Sequence, residues 1–435
     1  MSAARRLSGN VIWTSLLAET FRGAILLSVV GCAASSGHAS SVASWTMYQG
    51  RPDHNAVIAS RSLSARWTFN AGAKINGSMA VADDTLYVDT FKHELIAVNL
   101  TDGRVRWRSQ LNNIIMSTPV VAADKVVVGT GHNGRLQGDG SMVYADDQTT
   151  AIWGRDKGDA VVAFDARNGK RIWSFETLGE DMPSPVIAGN RVVFGNGDFH
   201  AYALDLATGF QLWKQDIDGV VTMASANYDS GRVLLSHCSS GPYKCHTDSL
   251  QLADGSTQWT APYGDEDSAP TIGDGKVFLT GFTSIGCRRG LYSSTVTGLD
   301  WLTGTELWSF RSPDCGKFNT KESNERAIAG VFTNGTFIEA SGVANAVTAF
   351  ASTGAVRWRF HTNARVKMSP IISADKVYFG DVNGVFYVLR ASDGRLVKKR
   401  EFGRPFTTSS PLLLGSTLLI AADGQVMAIS PISLR

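Results

Sequence analysis

Net charge is nearly absent from this 435-residue chain, with 41 basic residues against 39 acidic ones. That balance leaves neither the positive field that nucleic-acid binding needs nor an acidic tail. Proline is sparse, at 12, and charged residues make up 18% of the chain against 43% hydrophobic, which excludes a disordered chain. No C-x-x-C-H, G-x-S-x-G, H-E-x-x-H or Walker loop occurs. Gly129–Gly140 is glycine-rich but follows a strand of the repeat described below, so it does not read as a phosphate cradle. What the chain does have is glycine, at 44, and tryptophan, at 11. High Gly and Trp with few long apolar runs point to many short strands and tight turns.

The N-terminus reads as a targeting segment. Arg5, Arg6 and Arg22 precede an apolar run from Gly23 to Gly31, nine residues and too short to span a bilayer. The run ends in Leu27-Ser28-Val29-Val30-Gly31-Cys32, which looks like a bacterial lipobox. That resemblance implies a signal peptide over 1–31, cleavage before Cys32 and acylation of Cys32. Residues 32–44 then hold the anchor Cys and a small-residue spacer. Without the signal, the mature chain has 38 basic and 38 acidic residues. Ala33 rather than Asp after the Cys implies, by resemblance to lipoprotein sorting, the periplasmic face of the outer membrane.

From residue 45 the chain repeats itself. A small residue, a turn carrying Gly, and a Trp four residues after that Gly recur as AVNLTDGRVRW (Trp107), AFDARNGKRIW (Trp173), ALDLATGFQLW (Trp213), SLQLADGSTQW (Trp259), GLDWLTGTELW (Trp308) and TAFASTGAVRW (Trp358). A degenerate copy, VLRASDGRLVK, ends at Lys398, and Trp67 opens the series without a turn of its own. Spacings from Trp67 are 40, 66, 40, 46, 49, 50 and 40, a propeller-blade period with insertions. Ser-x-Pro or a close variant leads each unit, as in Ser117-Thr118-Pro119, Pro183-Ser184-Pro185 and Ser268-Ala269-Pro270. Proline suits the start of an innermost strand, whose axial edge need not donate an N–H. The Trp belongs on the outermost strand, where its flat face covers the gap to the next blade. Four strands per unit predict an all-β, eight-bladed propeller over 45–435, its last blade closed by the N-terminal strand.

The motif A-x-D-x-x-T-G-x-x-x-W, matched in full by Ala203, Asp205, Thr208, Gly209 and Trp213, resembles the docking motif of propellers of the pyrroloquinoline-quinone type. Trp45-Thr46-Met47-Tyr48-Gln49-Gly50 is similar to their lead-in. The lipobox, the near-minimal ring and the seventh repeat that loses its Trp resemble the outer-membrane protein assembly lipoproteins of the BamB type, in a divergent form. That resemblance implies a non-catalytic scaffold without cofactor, a monomer within a complex, that assists assembly of outer-membrane β-barrel proteins. Its partner would be the barrel-assembly insertase. The family's acidic contact loop is matched by Asp265-Glu266-Asp267-Ser268-Ala269-Pro270, which makes Asp265 and Asp267 the expected partner-binding residues. A second contact loop should lie between Trp213 and Met223, where KQDIDGVVT is short and lacks Arg.

Insertions gather at 131–158, 238–247, 283–294 and 312–326, all in connections that emerge at one end of the blades, where function tends to sit. The four remaining cysteines map there and predict disulfides Cys238–Cys245 and Cys287–Cys315, as an exported chain allows. A zinc site from His237, Cys238, Cys245 and His246 is the sharper alternative. One functional alternative is an oxidoreductase holding pyrroloquinoline quinone and Ca²⁺, with Asp381 and Asp423 near the axis. Against it, the adjacent cysteine pair of such enzymes is absent. The other is a sensory or carbohydrate-binding propeller using Trp153 and Tyr292.

Overall fold

The computed structural model describes residues 48–50, 64–75, 77–131, 134–136, 142–144, 159–239, 244–265, 267–317 and 328–431. The expected signal peptide, Cys32, its spacer, Trp45 and Trp153 lie outside these residues.

Eight four-stranded antiparallel sheets are present, and they are the expected blades. Their inner strands are Ala80–Ala82, Val120–Ala122, Val186–Ala188, Asn227–Asp229, Thr271–Gly273, Val331–Thr333, Ile371–Ser373 and Leu412–Leu414, which number blades 1 to 8. Blade 3 shows the pattern: Val186–Ala188, Arg191–Gly195, His200–Asp205 and the outer Gln211–Asp216. Blade 8 takes its outer strand, Trp67–Asn70, from the other end of the chain. Its register is Trp67↔Ala428, Thr68↔Met427, Phe69↔Val426 and Asn70↔Gln425. The ring closes as the sequence predicts, which removes the open edge an unclosed array of blades would carry.

The repeat motif explains itself in the packing. Each indole lies over the turn glycine of the next blade. A Cβ built on Gly209 would sit 2.7 Å from Trp173, and on Gly169 it would sit 2.5 Å from Trp107. These glycines also have φ near +70°, at +74° for Gly209 and +71° for Gly169, a region open to glycine without penalty. Each indole Nε1 donates to a carbonyl of the same turn. Trp67 reaches Leu100, Trp107 Ala166, Trp173 Leu206, Trp213 Leu252, Trp259 Trp301, Trp308 Ser352 and Trp358 Ala391, at 2.7–3.1 Å. Within its own blade, each Trp faces a small residue on the third strand: Ala97, Ala163, Ala203, Ser249, Gly298, Ala349 and, for Trp67, Ala428. The small partner lets the ring lie flat. In blade 3 the motif Asp also fixes the turn locally. Asp205 Oδ1 accepts from the Thr208 hydroxyl and from the N–H of Ala207 and Thr208.

Blade 7 is the exception that the same geometry accounts for. Its outer strand would dock on the turn between the third and outer strands of blade 8. That turn does not exist, because those two strands come from opposite ends of the chain. Lys398 therefore stands where the other blades have Trp, and its cross-strand partner is the larger Val388.

Two substitutions test this account. Trp213→Ala removes a buried indole and its hydrogen bond and is expected to cost about 3–5 kcal/mol in denaturant unfolding. Lys398→Trp is expected to stay within about 0.5 kcal/mol of the parent, since no turn receives the ring. A stabilisation of more than about 1 kcal/mol by Lys398→Trp would contradict it.

Candidate functional site at the channel mouth

The inner strands all begin at the same end of the ring, the end that also carries the long connections. Each inner strand faces the axis with N–H groups that no neighbouring strand satisfies. The residue two positions before each inner strand is a hydroxyl in six blades: Ser78, Thr118, Ser184, Ser225, Ser369 and Ser410. Several of these bridge blade to blade. The Ser410 N–H donates to Ser78 Oγ at 2.9 Å, Ser78 to Thr118 Oγ1 at 3.0 Å, Thr118 to Ser184 Oγ at 2.7 Å and Ser184 to Ser225 Oγ at 3.2 Å. Backbone N–H groups are thereby satisfied around half the circle without a continuous sheet.

Blades 5 and 6 have Ala269 and Ala329 at this level instead. The segment Tyr48–Gly50 forms a single 3₁₀ turn that lies there, with Gln49 at φ +50°. Gln49 is fully buried, and its Nε2 donates to Gly330 O at 3.2 Å. Tyr48 Oη and Ser369 Oγ share a 2.7 Å hydrogen bond, and burial pushes the phenol up to about 12. Two residues farther out lies a second level, which includes Met116, Met182, Met223, Asp267, Lys367 and Thr408. These residues and Tyr48 are among those that line a half-open cavity of about 40 Å³.

Behind this wall are buried acids. Asp89 lies against Gly77, where a Cβ would come within 2.5 Å of Asp89 Oδ1. Burial raises its carboxyl to about 8, against the smaller pull of backbone N–H groups. Burial also raises Asp181 well above the carboxylate range, with Asp159 and Asp198 adding repulsion, and lifts Glu339 to about 7.

A family model described as outer membrane protein assembly factor BamB matches residues 2–280 and 292–433. The chain belongs to the BamB family. Its relatives nevertheless have mixed occupations. Tetrathionate hydrolase of Acidithiobacillus ferrooxidans is 24% identical over 365 residues, which is 80% of this chain and 71% of that protein. Among solved structures, BamB from Moraxella catarrhalis is 18% identical with a TM-score of 0.59, covering 85% of this chain and 97% of that one. Quinohemoprotein alcohol dehydrogenase from Comamonas testosteroni is 10% identical with a TM-score of 0.65, covering 88% and 80%. At those identities the structural likenesses establish the fold alone.

Within this BamB-family ring, the residues singled out from sequence divide clearly. Both expected disulfides are formed, Cys238–Cys245 and Cys287–Cys315. This removes the zinc alternative, because the thiols are consumed; His237 is buried and pairs through Nε2 with Asp248 at 3.1 Å. The acidic loop places its two carboxylates differently. Asp265 is only 2% exposed and its Oδ1 accepts the Asp267 N–H at 2.9 Å, so it shapes the loop rather than offering a surface carboxylate. Asp267 turns to the axial cavity and accepts from Thr222 Oγ1 at 3.0 Å. Asp381 is fully buried and serves its own turn, accepting from Asn383 and Val385 N–H and from Tyr387 Oη. Asp423 pairs with Arg404 at the surface. Neither lines the axial cavity. Tyr292 is half-buried and packs edge-on against Phe282. Sequence reasoning missed Gln49 and Lys367, whose burial depends on the whole ring. It also missed Ile285, which stands 71% exposed in the blade 5 insertion.

The elevated Asp89 value predicts a pH dependence. The folded state holds its proton up to about pH 8, whereas an unfolded Asp releases it near 3.9. Folding is therefore most favoured by this group below the unfolded value, and its contribution falls as pH rises towards 8. Asp89→Asn, which cannot ionise, is expected to lose less stability than the parent between about pH 5 and 9. Parallel stability–pH curves for the two proteins would refute the assignment.

Proposed function

We propose that the chain is a non-catalytic periplasmic scaffold that assists assembly of outer-membrane β-barrel proteins. In this reading it is anchored through Cys32 to the periplasmic face of the outer membrane and works as a monomer within a complex with the barrel-assembly insertase. Family membership supports the reading, and one observation carries it. The channel mouth is filled by the chain's own Tyr48, Gln49 and Lys367. Among the described residues it leaves about 40 Å³, against roughly 300 Å³ or more for a pocket that encloses a cofactor-sized molecule. A space of that size favours a binding scaffold over a ring that encloses a quinone at the axis. The partner is held instead by the long connections at the same end, where the disulfide-braced blade 5 insertion presents Ile285. Exposed apolar side chains on a braced loop suit a protein contact.

One observation favours a second reading. Similarity to tetrathionate hydrolase extends over 80% of the chain, which would make this a polythionate-hydrolysing enzyme.

Purification of the tagged, detergent-solubilised protein from native envelopes distinguishes these readings. Stoichiometric insertase is expected in the eluate by mass spectrometry. Ile285→Glu should lower its recovery about tenfold with an unfolding free energy within about 0.5 kcal/mol of the parent. Recovery without insertase, together with a c-type cytochrome or quinone chromophore, would replace the scaffold with an oxidoreductase. Turnover of tetrathionate by the purified protein would establish the second reading.

A further inference from the structure

Three of the chain's nine methionines occupy one level of the channel mouth. Met116, Met182 and Met223 each stand four residues ahead of an inner strand, on the consecutive blades 2, 3 and 4. The pseudosymmetry of the ring therefore turns all three towards the axis, and all three line the same cavity. They also pack together, Met116 and Met182 buried and Met223 half-buried against them.

Elsewhere the blade cores are mostly Val, Leu, Ile, Ala and Phe, with Met79 and Met368 buried singly among them. Three thioethers gathered at one symmetric level make a set of soft, polarisable donors, which an isolated core methionine does not. Such donors select Cu(I) over the harder divalent ions. The described cysteines are all in disulfides, which leaves thioethers as the sulfur ligands that persist in an oxidising compartment. The cavity, about 40 Å³, exceeds the roughly 10–15 Å³ that one water needs, so an ion and a water fit. Asp267 continues the same level on blade 5 and Lys367 on blade 7, and both line the cavity.

We propose that Met116, Met182 and Met223 form a binding site for a soft monovalent cation, Cu(I). The site is independent of the scaffold reading, since it needs neither insertase nor membrane.

The test is an anaerobic titration of the purified protein with Cu(I) against the chromophoric chelator bicinchoninate. One equivalent is expected to bind, with sulfur ligation in the X-ray absorption spectrum. The triple variant Met116→Leu, Met182→Leu, Met223→Leu keeps volume and apolarity, so it should fold, and it should bind roughly 100-fold more weakly or worse. Absence of stoichiometric binding, or equal binding by the triple variant, overturns the site. If the triple variant does not fold, Ag(I) added to protein carrying ¹³C-methyl methionine decides. Shifts confined to the Met116, Met182 and Met223 methyl signals sustain the proposal, and shifts elsewhere or none at all refute it.

Discussion

An indole lying on a glycine holds this ring together. The contact is demanding on both sides. The turn must reach a positive φ, and it must carry no Cβ, because one at Gly209 would come within 2.7 Å of Trp173. The indole adds a hydrogen bond to a carbonyl of that turn, so one residue supplies apolar cover and satisfies a backbone acceptor. Seven junctions use this arrangement. Since each junction ties blade to blade at the rim, the radial order of the strands follows from it. The four-pair register of Trp67–Asn70 with Gln425–Ile429 then has only to complete a circle already set.

The eighth junction cannot follow the rule, because the ring is made from an open chain. Closure by an N-terminal strand puts the break between the third and outer strands of blade 8. The turn that would receive an indole from blade 7 is thereby lost. Lys398 and its partner Val388 are the local record of that break. Once the receiving glycine is gone, a tryptophan there would expose a large apolar ring for no return, and a lysine at the rim costs nothing. The degenerate seventh repeat is in this sense a topological mark, and it locates the seam of the ring from sequence.

The rim was legible because its rules are local: a turn residue, a fixed offset and a cross-strand partner within one unit. Disulfide pairing was legible for a related reason, since both pairs lie within or between neighbouring connections at one end. The axis was not. Ser184 was readable as the start of a strand, but its role as acceptor for Thr118 of the preceding blade depends on how the blades are set side by side. Gln49 finds its partner in Gly330 O, far along the chain. The Asp-x-Asp loop was legible only as a pattern, for the same reason. Its pattern is that of an exposed acidic contact, yet Asp265 turns back to cap its own loop, and the burial that results is a property of the surrounding ring.

This division between rim and axis bears on how one fold serves unlike purposes. The junction contacts lie at the periphery, so they constrain the small residue, the glycine and the tryptophan of each unit. They do not constrain the side chain four residues ahead of the inner strand. At that level this chain has Met, Met, Met, Asp, Lys and Thr on six of its blades. Such variety within a strict repeat shows that the demands of folding do not act there uniformly. A position that points to the axis, and whose neighbours are the corresponding positions of other blades, changes its chemistry without disturbing a single junction. An assembly factor and an enzyme therefore need differ little at the rim, and the likeness of this chain to both is what such an architecture entails.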